Sequence, residues 1–225
     1  MSVVFTDSFT AGADTDIESW PAASPNNDYD YILFAGANNL RVTAATDRCE
    51  ANSGGNDQIA RISDASVSSG VDYQISLDAF RTGGYSGGYP AVRCGAADSG
   101  NCYLVLCASS TVQELYRCNG GTFTLLSSGS ITAADSTLHA WTLRASGTGA
   151  TVTLTWTLDG SADQTFGDSS GSRLTTGVVG IGGYMDGTAY SVYVDNVSVD
   201  NMSAGATSFP FHPASRRALA GLLAH

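Results

Sequence analysis

Apolar and polar residues alternate along much of this chain, as in strands that bury one face and wet the other. The clearest stretch is 150–158. Ala150, Val152, Leu154, Trp156 and Leu158 share one parity, and Thr151, Thr153, Thr155 and Thr157 share the other. One face is therefore core and the other a wet threonine ladder. Residues 72–80 repeat the pattern, with Tyr73, Ile75, Leu77 and Ala79 inward and Asp72, Gln74, Ser76 and Asp78 outward. Residues 103–106 are apolar on both parities, which predicts a central strand covered on both sides.

Further strands are predicted over 3–9, 29–34, 39–43, 58–62, 91–95, 112–118, 122–126, 139–145, 177–182 and 190–199. Clusters such as Asn52-Ser53-Gly54-Gly55-Asn56, Asn119-Gly120-Gly121 and Asp159-Gly160-Ser161 supply the turns between them. So many short strands with no amphipathic helix between them predict an all-β, antiparallel two-sheet sandwich or barrel.

The last strand breaks parity. Tyr190, Val192 and Val194 fall on one side, Val197 and Val199 on the other. A one-residue bulge at Asp195-Asn196 would restore a single buried face.

After Asn201 the character changes. Residues 202–208 are small and polar, and Phe209-Pro210-Phe211-His212-Pro213 forms neither a regular helix nor an inner strand. Residues 214–225 read as a short helix, with Leu219, Leu222 and Leu223 at i, i+3, i+4. The expected division is a sandwich over 1–201 and a linker with a short docking helix over 202–225. Left in water, Phe209, Phe211, Leu219, Leu222 and Leu223 would form an exposed apolar patch, so the tail is expected to pack on a partner or on the sandwich.

Composition narrows the partners. Charged residues are only 14% of the chain, and Asp plus Glu outnumber the basic residues 21 to 10, for a net charge of −11. That field repels phosphate backbones and argues against nucleic acid. No apolar run reaches the length of a membrane span. The N-terminal residues Met1-Ser2-Val3-Val4-Phe5-Thr6-Asp7 lack the basic and apolar regions of a secretory signal. A surface-type composition without that signal fits a processed chain, a non-classical export route or release by lysis.

None of the five cysteines, Cys49, Cys94, Cys102, Cys107 and Cys118, sits in a C-x-x-C pair. A hairpin centred at Asp98 would set Cys94 opposite Cys102, and one centred near Ser110 would set Cys102 opposite Cys118. Cys94 and Cys118 then compete for one disulfide to Cys102. Small buried thiols in a core are the equal alternative.

Four segments carry a resemblance. They are His139-Ala140-Trp141-Thr142-Leu143-Arg144, 152–160 ending in Asp159-Gly160, Val178-Val179-Gly180-Ile181-Gly182-Gly183, and Val194-Asp195-Asn196-Val197-Ser198-Val199. Their order and spacing resemble the C-terminal half of laminin-G-like, concanavalin A-like jelly rolls. Asp7-Ser8-Phe9 followed by Trp20 resembles that family's opening strand. The resemblance spans 3–199 and implies a jelly roll whose first and last strands lie together. It also implies that Asp7 and Asp195 are the leading pair for a structural Ca²⁺, with backbone carbonyls completing the shell. No other cofactor is expected.

Such folds host lectins, adhesion modules, virion surface proteins and some glycoside hydrolases. The hydrolases carry two glutamates close together on one strand, whereas this chain has only the scattered Glu18, Glu50 and Glu114. A retaining mechanism needs two carboxyls about 5 Å apart, so catalysis ranks third. His139, His212 and His225 lack metal-ligand spacing.

The tyrosines of the Gly-rich loop 82–89, Tyr85 and Tyr89, and a second loop with Tyr184 and Asp186, are the candidate sugar-binding residues. The leading expectation is a non-catalytic virion protein of a bacteriophage head or tail. Its jelly roll would be exposed and its tail anchored to other virion proteins, with host-surface glycans and further copies of the chain as additional partners. The alternative is a secreted or cell-surface, lectin-like carbohydrate-binding module.

Overall fold

The alternating segments pair into sixteen strands, each antiparallel to its neighbours, in a computed structural model that describes residues 2–21, 28–33, 40–51, 57–69, 72–184 and 192–202. The strands form two layers. Sheet one runs β11 (Thr122–Ser130), β10 (Val112–Asn119), β9 (Cys102–Ser109), β8 (Ser86–Cys94), β15 (Val178–Tyr184), β6 (Gln58–Ile62) and β3 (Tyr29–Leu33). Sheet two runs β14 (Gln164–Asp168), β13 (Val152–Leu158), β12 (Thr137–Ser146), β7 (Tyr73–Gly83) and β16 (Val192–Asn201). The far edge of β16 is shared. β1 (Ser2–Asp7) pairs its C-terminal half, while β5 (Arg48–Ala51), β4 (Leu40–Thr43) and β2 (Thr15–Asp16) extend from its N-terminal half. The β7–β8 hairpin carries the chain from one layer to the other, since only Arg81–Gly87 and Gly83–Ser86 pair across it. This is the expected β-sandwich jelly roll.

From Val152 on the inward parities fall as the pattern predicts, whereas Ala150 is exposed ahead of the strand and the outward-reading Gln74 and Thr155 are buried too. Val152, Leu154, Trp156 and Leu158 are buried, as are Tyr73, Ile75, Leu77 and Ala79 on the neighbouring strand but one. On the opposite face Thr142 and Thr157 stand in register and share a 2.6 Å hydroxyl hydrogen bond. Residues Tyr103, Leu104, Val105 and Leu106 are all buried in β9, an interior strand of sheet one.

Glycine closes the layers. A Cβ at Gly88 would come within 2.7 Å of the Tyr193 carbonyl and a Val194 methyl, so sheet one can sit this close to β16 only without a side chain there.

The bulge in β16 is present. Asp195 pairs with Asp78 but Ser198 with Ser76, which leaves one extra residue on β16, and Asn196 takes the left-handed φ of 50°. Val194, Val197 and Val199 are consequently all buried. The last strand ends at Asn201. The tail candidates Phe209, Phe211, Leu219, Leu222 and Leu223 lie outside the described residues.

Candidate functional site

The outward face of sheet one carries the richest side-chain chemistry. Register fixes its members. Glu114, Tyr116 and Cys118 of β10 point the same way as Leu104 and Cys102 of β9, and as Phe123 and Leu125 of β11. Tyr89 and Ala91 of β8 join them, because Ala91 pairs with Leu104. Tyr184 and Gly182 of β15 lie beside Gly87 and Tyr89. At the β10–β11 edge this face opens to solvent. Tyr116 and Phe123 meet edge to face, with centroids 6.2 Å apart and planes at 87°. Leu125 beside them is 49% exposed, and Tyr85, at the tip of the β7–β8 hairpin, is 45% exposed.

Carboxylates flank these rings. Tyr116 donates its hydroxyl to Glu114 Oε2 at 2.6 Å. Its own phenol is pushed above the ordinary tyrosine range by burial first, then by the bond and charge of Glu114, with smaller contributions from Tyr85 and Asp57. Tyr85 and Asp57 are thus within electrostatic reach of the Tyr116 hydroxyl. Deeper in the face, the fully buried Tyr89 donates to Asp57 Oδ1 at 2.7 Å. Burial raises the Asp57 pKa and the Tyr89 bond opposes that rise. The result is an aromatic platform of Tyr85, Tyr116 and Phe123, with Glu114 fixed beside it and Asp57–Tyr89 as its buried flank.

Of the predicted sugar residues, Tyr85 lies on this platform and Tyr184 is half-buried on the same face. Tyr89 corrects the expectation of a loop residue. Residues 86–90 are strand, not loop, so the Tyr89 ring lies in the packed face and positions Asp57 instead of meeting solvent. Asp186 lies outside the described residues. Tyr116, Phe123, Glu114 and Asp57 escaped sequence reasoning. Residues 112–118 are expected only as a strand, and nothing in their pattern marks the face of Glu114 and Tyr116 as the one that reaches solvent.

The predicted metal pair is not assembled. β1 and β16 do lie together, with Asp7 in register with Val197. Asp7 therefore faces the core side of sheet two, whereas Asp195 pairs with Asp78 on the outward side. Asp7 is already engaged. Its Oδ1 accepts from the Phe9 amide at 2.8 Å, and its Oδ2 accepts from Trp20 Nε1 at 2.8 Å and the Tyr29 hydroxyl at 3.2 Å. Burial raises its pKa, and those hydrogen bonds pull against the rise. Asp195 accepts from the Asn196 amide at 2.7 Å, and its pKa too is raised chiefly by burial. Among the described residues no cluster of three His, Cys, Asp or Glu side chains is placed to hold a metal ion.

The cysteine row exists, without a bond. Cys118 pairs directly with Cys102, and the Gly95 amide donates to the Asn101 carbonyl at 2.9 Å, which sets Cys94 on the other side of Cys102. All five cysteines are buried free thiols, so the structure corrects the disulfide expectation for Cys94, Cys102 and Cys118 toward the thiol alternative. The pKa of Cys102 is raised, first because its S–H bonds to Cys118 and then because it is buried.

Neither a protein-family model nor a curated relative matches the sequence. Solved structures do match. The carbohydrate-binding module CBM66 from Bacillus subtilis superposes with a TM-score of 0.58 at 16% identity, covering 77% of this chain and 96% of that one. The exoplasmic/lumenal domain of VIP36, solved with Ca²⁺ and Man2, gives 0.53 at 11% identity over 86% of this chain and 88% of its own. The GH43 protein BlXynB from Bacillus licheniformis gives 0.53 at 10% identity, covering 88% of this chain but only 39% of the other. At such identities the likeness establishes the lectin-like jelly-roll fold. Nothing in these comparisons indicates a bacteriophage virion protein, so the leading sequence expectation is left without support.

Proposed function

We propose that this chain is a carbohydrate-binding, lectin-like module that takes a glycan across the Tyr85–Tyr116–Phe123 platform. The observation that carries the reading is the half-buried Tyr116–Phe123 pair at the open β10–β11 edge, with Glu114 fixed 2.6 Å from the Tyr116 hydroxyl. Sugar rings present C–H faces that pack on aromatic rings, and equatorial hydroxyls at their rims that donate to carboxylates. A flat sheet face with rigid rings at its edge offers both, with little conformational entropy lost on binding. The similarity of the fold to structures named as carbohydrate-binding supports the same reading.

Binding is favoured over hydrolysis by where the glutamates stand. Glu18 accepts from the Tyr31 amide, Glu50 from the Thr46 hydroxyl and Glu114 from Tyr116, on three separate elements. None of these elements carries the close pair of glutamates on one strand that the hydrolases of such folds use.

Affinity electrophoresis through gels cast with soluble β-glucan, xylan or mannan tests the reading. The chain should be retarded by at least one of them. Tyr116→Ala and Phe123→Ala should each weaken retention about tenfold, as loss of one stacking ring implies. Reducing-sugar release should stay at background. Unretarded migration through every gel, or retention unchanged in both variants, would overturn the platform.

A further inference from the structure

Away from the platform, where β1 ends against the middle of β16 in sheet two, an open cleft of about 480 Å³ lies beside the bulge. That volume falls within the range of about 300–1,000 Å³ typical of small-molecule sites. Its walls are hydroxyl-rich. Thr6 and Ser198 are register partners on the outward side of the β1–β16 pair, and Ser8 and Thr10 continue the wall beyond the strand. None of these four hydroxyls hydrogen-bonds within the described residues.

The remaining walls are built, not incidental. Trp20 lines the cleft with its ring buried to within 9% and its indole N–H fixed on Asp7 at 2.8 Å. Asn196 is held at a left-handed φ of 50° by the bulge, and its Nδ2 donates to Asp78 at 2.8 Å. That leaves the amide oxygen unengaged among the described residues. A non-glycine residue kept at positive φ is strained backbone of the kind that collects at binding sites.

Charge selects the ligand class. A cation is disfavoured because Asp7, the one carboxylate in the wall, already accepts from Phe9, Trp20 and Tyr29. An anion is disfavoured because no basic side chain lines the cleft. What remains is a set of neutral donors and acceptors around an indole edge, which suits a compact, uncharged polyhydroxylated ligand.

We propose that this cleft is a second binding site, which takes a single neutral saccharide unit through Thr6, Ser198 and Asn196. It does not depend on the platform, since it is built on the other sheet. With both sites active, one polysaccharide chain or two neighbouring chains could engage two faces of the module, and affinity for a polymer would exceed that for its monomer through effective concentration.

The test is an amide and indole N–H titration by NMR with glucose, mannose and fructose, carried to the solubility of each sugar. It is run on the full chain and on two variants, Thr6→Val with Ser198→Ala, and Tyr116→Ala. The expected result is saturable shifts at the Trp20 indole and at the Asn196 and Ser198 amides for at least one sugar. These shifts should persist in Tyr116→Ala and need about tenfold more sugar in the Thr6/Ser198 variant, the loss expected for one or two neutral hydrogen bonds. The exposed Thr6 and the half-buried Ser198 tolerate the changes, and an unshifted Trp20 indole resonance in the sugar-free variant reports an intact fold. No shift at these positions with any of the three sugars overturns the second site. So do shifts that vanish in Tyr116→Ala, or shifts indifferent to the Thr6/Ser198 change. Platform binding in the gels stands or falls separately.

Discussion

Arg117 of β10 reaches across the sandwich to Asp168 at the end of β14, closing a 2.7 Å ion pair between the two sheets. Both side chains are nearly excluded from water, and the Tyr103 hydroxyl donates to the same Asp168 oxygen at 2.8 Å. Burial alone would raise the Asp168 pKa. The opposing hydrogen bonds from Ser170, Tyr103 and Arg117 win and hold it at about 2. A carboxylate held below its unfolded value stabilises the fold above that value, and the contribution is lost as pH falls through the folded one. Asp168 should therefore cost the protein stability between about pH 4 and pH 2. Asp168→Asn should lose about 3 kcal/mol at neutral pH, because it strands the Arg117 guanidinium. Urea melts of both proteins across that pH range decide it. A variant as stable as the parent at pH 7, or equally acid-sensitive, would refute the assignment.

Asp7 makes a different kind of link. It ties the end of β1 to Trp20 and Tyr29, residues from two other parts of the chain. Asp7→Asn would turn an amide N–H toward donors that need acceptors, at a cost of about 2 kcal/mol for the groups left unpaired. Indole fluorescence should report a loosened Trp20 before global unfolding. If Asp7 instead served a Ca²⁺ ion, the loss would appear only in the presence of calcium. The expected result is the same loss with calcium or with chelator.

The architecture was readable from residue order because two-fold alternation maps directly onto strand faces. The inward residues from Val152 to Leu158 and from Tyr73 to Ala79 landed as read, and the parity break at Asp195-Asn196 located the bulge to the residue. Short or weakly patterned strands were missed. Arg48–Ala51 and Gln164–Asp168 carry polar residues and gain their strand character from their neighbours β16 and β13. The site was less legible. Tyr85 does sit at an exposed turn, as the glycines flag, but the same glycines made Tyr89 look like a loop residue. Tyr116 and Phe123 come together only because β10 and β11 pair with Cys118 opposite Phe123. Asp57 comes from just before β6, more than fifty residues away in sequence. Which sheet face meets solvent is a property of layer stacking, and periodicity does not encode it.

The thiol row makes a chemical prediction. Cys102 and Cys118 are direct cross-strand partners in sulfur–sulfur hydrogen-bonding contact, while Cys94 sits beyond a bulged Arg93 with φ of 54°. Unfolding the unreduced protein in iodoacetamide should count five thiols. In the folded state all five should alkylate slowly, since they are buried and thiolate is the reactive form. Forced oxidation with excess oxidised glutathione should join Cys102 to Cys118 first. Peptide mapping that finds Cys94–Cys102 as the first product would show that the bulge does not hold Cys94 away.

The platform rests on a glycine. Gly182 of β15 lies opposite Tyr89 of β8, and a Cβ at that position would collide with the Tyr89 ring edge, well inside contact distance. The ring thus lies against bare backbone, with its hydroxyl on Asp57. Gly182→Ala should expel the ring. Because Tyr89 is fully buried, overpacking of this kind costs about 1–3 kcal/mol, and a further contribution comes from the unpartnered Asp57 carboxyl. Glycan binding should weaken with it, since Tyr89 and Tyr116 share one face of sheet one and the loosened flank would no longer hold that face. Tyr89→Phe separates the two effects. It keeps the ring and its packing but removes the donor, so it should cost about 1 kcal/mol in stability. It should also raise the Asp57 pKa further, because the lost hydrogen bond was the one force opposing burial. A carboxyl-resolved NMR titration that leaves Asp57 unmoved in Tyr89→Phe would break the link between this pair and the platform.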